Sequence, residues 1–151
     1  MNGKKILIAT DGSASAHAAV ELGLELARAR GAGVVFLHVV PSRVAARLTG
    51  EQLERPLTQG ELAERDPVLG ELAELARAAG VAAELEAAGG ETTAEVVDAI
   101  VGIAAGKEAE LVVVGSRGHG ALASTVLGSV SHGVLRYSDV PVVVARGAHA
   151  S

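Results

Sequence analysis

Four glycines and one serine late in the chain, Gly115, Gly118, Gly120, Gly128 and Ser129, are spaced to hold an anion. Residues 111–114 are a short apolar run that reads as a buried strand. Gly115, Gly118 and Gly120 then punctuate a turn-rich segment, and Gly128-Ser129 opens a helical pattern with Val130 and Val134 four apart. The order is strand, glycine loop, helix N-terminus. Glycines let backbone N–H groups approach a phosphate with no Cβ in the way. The first N–H groups of a helix have no internal partner and carry partial positive charge. Ser129 adds a hydroxyl donor. The competing reading is a loop whose glycines serve only turns and close helix–strand packing. No Gly-Lys-Ser/Thr follows the glycines, so this is not a P-loop. The spacing Gly-x-x-Gly-x-Gly after a late strand is not the dinucleotide fingerprint either.

A second polar cluster ends the first apolar run: Thr10-Asp11-Gly12-Ser13 follows Ile6-Leu7-Ile8. Asp11 could accept from a ligand amino group or sit near a metal-bound phosphate. It could equally be a turn-forming Asp at a strand end. Arg117 and His119 lie inside the glycine loop, where either could neutralise phosphate charge or simply project into water. His17, His38, His132 and His149 have no metal-ligand spacing. His17 and His132 read as surface, and His38 as a satisfied strand residue.

The elements that must position these residues alternate between strand and helix. Residues 4–9 read as the first strand. A helix follows over about 14–30, with Ser13 as its expected N-cap and Ala16, Ala19, Val20, Gly23, Leu24 and Ala27 as its apolar stripe. Residues 34–40 are a near-continuous apolar run, hence a strand buried on both faces. Residues 42–66 carry a weak signal, broken by Gly50, Pro56 and Gly60, and read as a variable excursion with some helical turns. A helix is expected over 67–79, ended by Gly80, then a strand over 81–87. There Ala83, Leu85 and Ala87 alternate with Glu84 and Glu86, as at a sheet edge. Thr92-x-x-Glu95 is a capping box opening a helix that buries Val96, Ile100, Ile103 and Ala104. The fourth strand, the glycine loop, a helix over about 128–137 and a last strand over 142–145 complete the chain. This order calls for a single doubly wound α/β domain with a parallel sheet flanked by about four helices. Ligands of such sheets sit beyond the carboxyl ends of the strands, where strand order reverses. The pattern alone does not establish that the first and fourth strands are neighbours.

Composition narrows the function. The chain has 151 residues, enough for one domain with its own core. It is 49% hydrophobic with one Phe, one Tyr and no Trp, so that core must be Val, Leu, Ile and Ala. No apolar run approaches the ~20 residues that span a bilayer, and no secretory signal is visible behind Lys4 and Lys5. With no Cys, disulfides and thiolate metal sites are excluded. Acids and bases are interleaved at net charge −5 with no basic stripe, which argues against nucleic acid as a partner. A phospho-receiver would want an acidic cluster after the first strand, an Asp after the third and a Lys after the fifth. Only Asp11, then Ala87-Ala88, then Arg146 stand there.

The run Gly115-x2-Gly118-x9-Gly128-Ser129 resembles the nucleotide-binding signature of the universal stress protein family, in its ATP-binding branch. The likeness extends to KKILIATDGSASAHAAV at the start and SDVPVVVAR at the end, and is least characteristic over 43–67. It implies a Rossmann-like five-stranded parallel sheet in the order 3-2-1-4-5, which makes the first and fourth strands neighbours. It implies that Ala9, Thr10 and Asp11 line the nucleotide pocket and that Val39 packs on the adenine. Val114 and Gly115 then fall on the ribose side. Gly118, Gly128, Ser129, Val130 and Ser131 fall at the phosphates, with Ser116, Arg117, His119 and Gly120 in the same loop. Val39 and Val114 are also ordinary core positions, and both readings hold together. The implied protein is a cytoplasmic stress-response module that binds ATP with Mg²⁺ and dimerises through the last strand at Val142, Val143 and Val144. A slow ATPase or adenylyl-transfer enzyme on the same site, and a nucleotide-free interaction protein, are the alternatives. Hydrolysis wants a positioned base and charge stabilisers; Asp11 and Arg117 are candidates, but the loop holds no lysine.

Overall fold

The apolar runs assemble as strands of one parallel sheet. The protein's computed structural model describes residues 3–116 and 128–146. The strands are β1 (Lys5–Thr10), β2 (Gly33–Val40), β3 (Ala83–Gly89), β4 (Leu111–Gly115) and β5 (Val142–Ala145), ordered β3-β2-β1-β4-β5. All pairings are parallel: Ile6 lies opposite Val34 on one side and Leu111 on the other, and Val112 lies opposite Val142. The helices are α1 (His17–Arg30), α2 (Ser42–Leu48), α3 (Gln59–Arg65), α4 (Pro67–Ala78), α5 (Thr93–Gly106) and α6 (Ser129–Tyr137).

Period-2 alternation sends successive strand residues to opposite faces. On one face Ile6, Ile8 and Phe36 pack with Ala19, Val20 and Leu24 of α1, Leu48 of α2, Leu62 of α3 and Leu69 and Leu72 of α4. On the other, Leu7, Val35, Leu37 and Val112 pack with Val97, Ile100 and Ala104 of α5 and Val134 of α6. Helix α1 lies close to β1 because residue 23 is glycine: a Cβ there would be 2.6 Å from Ile8 Cγ1.

Several expectations need correction. The described residues hold six α-helices rather than about four, because the 42–66 excursion, expected to hold some helical turns, forms two full helices. It contains α2, a 3₁₀ turn at Glu51–Leu53, and α3. The signal was present as a second capping box, in which the Thr58 side chain accepts from Glu61 N–H while the Glu61 side chain accepts from Thr58 N–H. Ser13 does not cap a helix. Its hydroxyl donates to Asp11 Oδ1, a 3₁₀ turn occupies Ala14–Ala16, and α1 starts at His17. The third strand begins at Ala83 rather than 81, because Val81 N–H is bonded to Ala76 O at the end of α4. Helix α5 buries Val97, with Val96 only partly covered.

The expected edge character of β3 holds, and the edge is closed in a specific way. The Gln59 side-chain amide donates to Leu85 O (3.1 Å) and accepts from Leu85 N–H (2.6 Å), as a neighbouring strand would. On the same strand Glu84 and Glu86 share Lys107. At the opposite edge β5 pairs with β4 alone, and Val142, Val143 and Val144 remain partly exposed.

Candidate functional site

From β1 the chain winds outward to β2 and β3, then returns to the other side of β1 for β4 and β5. The order reverses between β1 and β4, the switch point beyond which ligands of such sheets bind, and the chain leaves both strands at that end.

The loop after β1 is held by its own side chains. Gly12 N–H donates to Thr10 Oγ1 at 3.0 Å, and Ser13 donates to Asp11 Oδ1 from its N–H (2.9 Å) and its hydroxyl (2.5 Å). This is the Asx-turn chemistry that Asp favours after a strand. Gly12 sits at φ +80°, a left-handed conformation that costs glycine nothing. Thr10 is buried and Asp11 half-buried, with the loop rising between sheet and solvent.

The loop after β4 is closed at its neck. Ser116 N–H donates to Ala145 O (2.9 Å), and Gly128 N–H donates back to Ser116 O (2.6 Å). Ser131 is 2% exposed, and its hydroxyl donates to Gly128 O at 3.0 Å, with Ser116 O at 3.4 Å. Ser131 thus braces the neck. The predicted residues Arg117, Gly118, His119 and Gly120 lie outside the described residues.

Two helices begin side by side, with Thr93 Oγ1 and Ser129 Oγ 3.5 Å apart. Their ends differ electrostatically. The N-terminus of α5 is satisfied by the Thr92–Glu95 box, and Glu95 also accepts from Glu91 N–H at 2.7 Å. Helix α6 starts at Gly128 in an extended conformation. It has no side-chain cap among the described residues and no acid in its first turn. A helix N-terminus of this kind, uncapped among the described residues, suits an anion.

Ala9, Val39, Val114 and Val130 fall in one apolar cluster on the α5–α6 face. Ala9 and Val114 are buried, and Val39 and Val130 are partly covered. Gly115 and Ser116 are half-buried at the end of β4, and Ser129 is exposed at the start of α6. The sequence reading missed a pair on the opposite face. His38 Nδ1 lies 2.7 Å from Asp66 Oδ2, with side chains 13% and 4% exposed. Asp66 Oδ1 accepts from Leu69 N–H (3.2 Å), which makes it the N-cap of α4 with Pro67 next in line. Burial works against the Asp66 charge. The hydrogen bonds from His38 and from the Leu69 and Val68 amides outweigh it, so its carboxyl stays below the usual aspartate range. Asp66-Pro67 is a readable helix-start signal; the pairing with a residue 28 positions earlier is not.

The fold defines a doubly wound α/β protein whose strand order reverses between β1 and β4. The chain belongs to the universal stress protein family, whose model matches residues 3–146. It is 34% identical to a universal stress protein of Thermus aquaticus over 146 residues, covering 95% of this chain and 98% of the relative. It matches a Mycolicibacterium smegmatis universal stress protein at 53% identity over 45 residues, but spans only 15% of that longer relative. Among solved structures, a universal stress protein in complex with cAMP superposes with a TM-score of 0.67 at 26% identity, covering 95% of this chain and 97% of the other. A universal stress protein from Archaeoglobus fulgidus in complex with dAMP gives 0.68 at 23% identity, covering 96% and 99%; at that identity the likeness speaks for the fold.

Proposed function

We propose that this protein binds ATP in the β1–β4 crevice and works as a cytoplasmic, nucleotide-dependent stress-response module. The observation that carries the reading is the start of α6, whose first amides are uncapped among the described residues and directly follow the glycine loop. Triphosphate oxygens are the ligand chemistry that such a terminus, a hydroxyl at Ser129 and the glycines of the loop suit best. The base lies toward Ala9, Thr10, Asp11 and Val39, the ribose toward Val114 and Gly115. Ser116, Arg117, Gly118, His119, Gly120, Gly128, Val130 and Ser131 form or support the phosphate end. Mg²⁺ travels with the nucleotide, its ligands being phosphate oxygens and water. The cAMP complex of a relative at 26% identity supports an adenine nucleotide in this fold. Occupancy alters contacts of a homodimer formed through the β5 edge at Val142, Val143 and Val144.

Mass spectrometry of nucleotide released from denatured, purified protein, with calorimetric titration of ATP and Mg²⁺, tests the reading. Gly118→Val puts a branched side chain where backbone should meet phosphate. A lost charged hydrogen bond costs on the order of 1–3 kcal/mol, so affinity should fall about tenfold or more. No heat with millimolar ATP, or an unchanged affinity in folded Gly118→Val, rejects it.

A further inference from the structure

The Asp11–Gly12–Ser13 turn does not stand alone. Besides its local hydrogen bonds, it has residues of two other elements close to Gly12. A Cβ at Gly12 would lie 3.2 Å from Val68 Cγ2 and 3.7 Å from His38 Nε2. Val68 belongs to the first turn of α4, and His38 lies opposite Thr10 on the last rung that β1 and β2 share. The imidazole is gripped from the far side, since Nδ1 meets a carboxylate that is itself almost wholly buried. That carboxylate is fixed in turn by capping α4 through its other oxygen. One ring edge is locked and the other faces the turn. An imidazole held at Nδ1 by a buried carboxylate that is itself anchored is restricted in orientation.

We propose that His38, locked by Asp66, is the positioning residue for the Asp11–Gly12–Ser13 turn, and through it sets affinity for the base end of the nucleotide. The affinity part rests on the ATP-binding reading; the positioning part does not. The corner that joins α3 to α4 then becomes part of the site, although it lies on the sheet face opposite Val39 and Val114. Movement of α3 or α4 reaches the turn through Asp66, and a ligand that draws Asp11 toward it pulls on the same corner.

The test uses the full chain and two readouts. His38→Asn keeps an amide near the Nδ1 position, so it can still meet Asp66, but withdraws the ring edge from Gly12. Amide hydrogen exchange is read in ligand-free protein at Gly12 and Ser13, at Leu69 under the Asp66 cap, and at Leu7 in β1. Loosening of the turn alone speeds Gly12 and Ser13 at least about tenfold, with Leu69 and Leu7 unchanged. Calorimetry then compares adenosine, ATP and inorganic tripolyphosphate. Adenosine and ATP should weaken by a common factor of about ten, and tripolyphosphate should not change. His38→Gln, which extends an amide back toward Gly12, should recover part of both losses, and it carries the test if His38→Asn does not fold. Gly12 and Ser13 exchanging at wild-type rates in a folded variant overturns the proposal. So does acceleration that includes Leu7, which marks a general loss of stability, or a tripolyphosphate loss equal to that of adenosine. Wild type that binds none of the three ligands removes the nucleotide reading, and the exchange measurements still decide whether His38 positions the turn.

Discussion

Thr93 and Ser129 bring their hydroxyls to 3.5 Å, so α5 and α6 start side by side, one end closed by the Thr92–Glu95 box and the other without a side-chain cap among the described residues. That contrast separates stability from binding at Ser129. A carboxylate in the first turn of a helix stabilises it by about 0.3–1 kcal/mol. Ser129→Asp should therefore leave the melting temperature unchanged or slightly raised. The same charge would repel phosphate, and ATP affinity should fall tenfold or more. Thermal denaturation and calorimetry on one sample check both halves. Unchanged ATP affinity would move the phosphates away from α6.

Gly23 marks the closest approach of α1 to the sheet. Alanine there would press its methyl into fully buried Ile8, 2.6 Å from Cγ1. Overpacking of this kind costs about 1–3 kcal/mol. Gly23→Ala should lower the urea midpoint with no change in slope, and a paired Gly23→Ala/Ile8→Val variant should recover part of the loss.

Asp66 should show its charge in acid. Its folded carboxyl titrates below the ordinary range, so its contribution is fully present above about pH 3.9 and is lost as pH falls through the lower folded value. Asp66→Ala removes a helix cap worth about 1 kcal/mol and leaves His38 without its partner, about 1–3 kcal/mol more. Urea melts at neutral pH should show this deficit. Below pH 4 the gap between wild type and variant should narrow.

Glu61 is a surface carboxylate with an unusually low titration. Two hydrogen bonds from Arg55 (2.9 and 3.0 Å) and one from the Thr58 amide (2.9 Å) pull it from 4.5 down to about 2. Its folded value lies below the unfolded one, so any stability it adds is present above about pH 4.3 and is lost as pH falls through about 2. Carbon NMR of the Glu61 carboxyl should show this midpoint, and Arg55→Ala should raise it. A midpoint near 4 in wild type would mean that the Arg55 fork is open in solution.

The β5 edge carries the assembly test. Val143 packs toward the α1 face, and Val142 and Val144 toward the α5–α6 face. A lysine at either kind of position in an apolar contact must lose its hydration or force the chains apart. Val143→Lys or Val142→Lys should convert a dimer to monomers by light scattering. A monomeric wild type at tens of micromolar would remove β5 as a dimer edge.

The order β3-β2-β1-β4-β5, which sets β1 beside β4, came only with the family resemblance, whereas the strands themselves were legible from period-2 burial and glycine punctuation. Those signals lie within a few neighbouring residues. The 42–66 region was obscured because its three helical pieces are too short to show a period. Only the Thr58–Glu61 and Asp66-Pro67 cap signals could have revealed it. Ser13 was misread because its hydroxyl has two possible local partners, and spacing alone does not say whether it closes a helix or meets Asp11. The His38–Asp66 and Gln59–Leu85 contacts join residues 28 and 26 positions apart. No local pattern encodes them, since they exist only once α3 has docked against the sheet.

The Gln59 amide against Leu85 also bears on how copies of the chain can add to one another. Growth by strand pairing requires each unit to have two edges open, one to accept and one to offer. Here Gln59 holds the N–H and C=O of Leu85 midway along β3, which interrupts that edge and leaves the sheet with a valence of one. Two copies meeting edge to edge about a twofold axis use up that valence and leave clamped edges facing outward. Under the proposed β5 pairing the clamp would work as a chain terminator, with a pair as the end product of sheet extension.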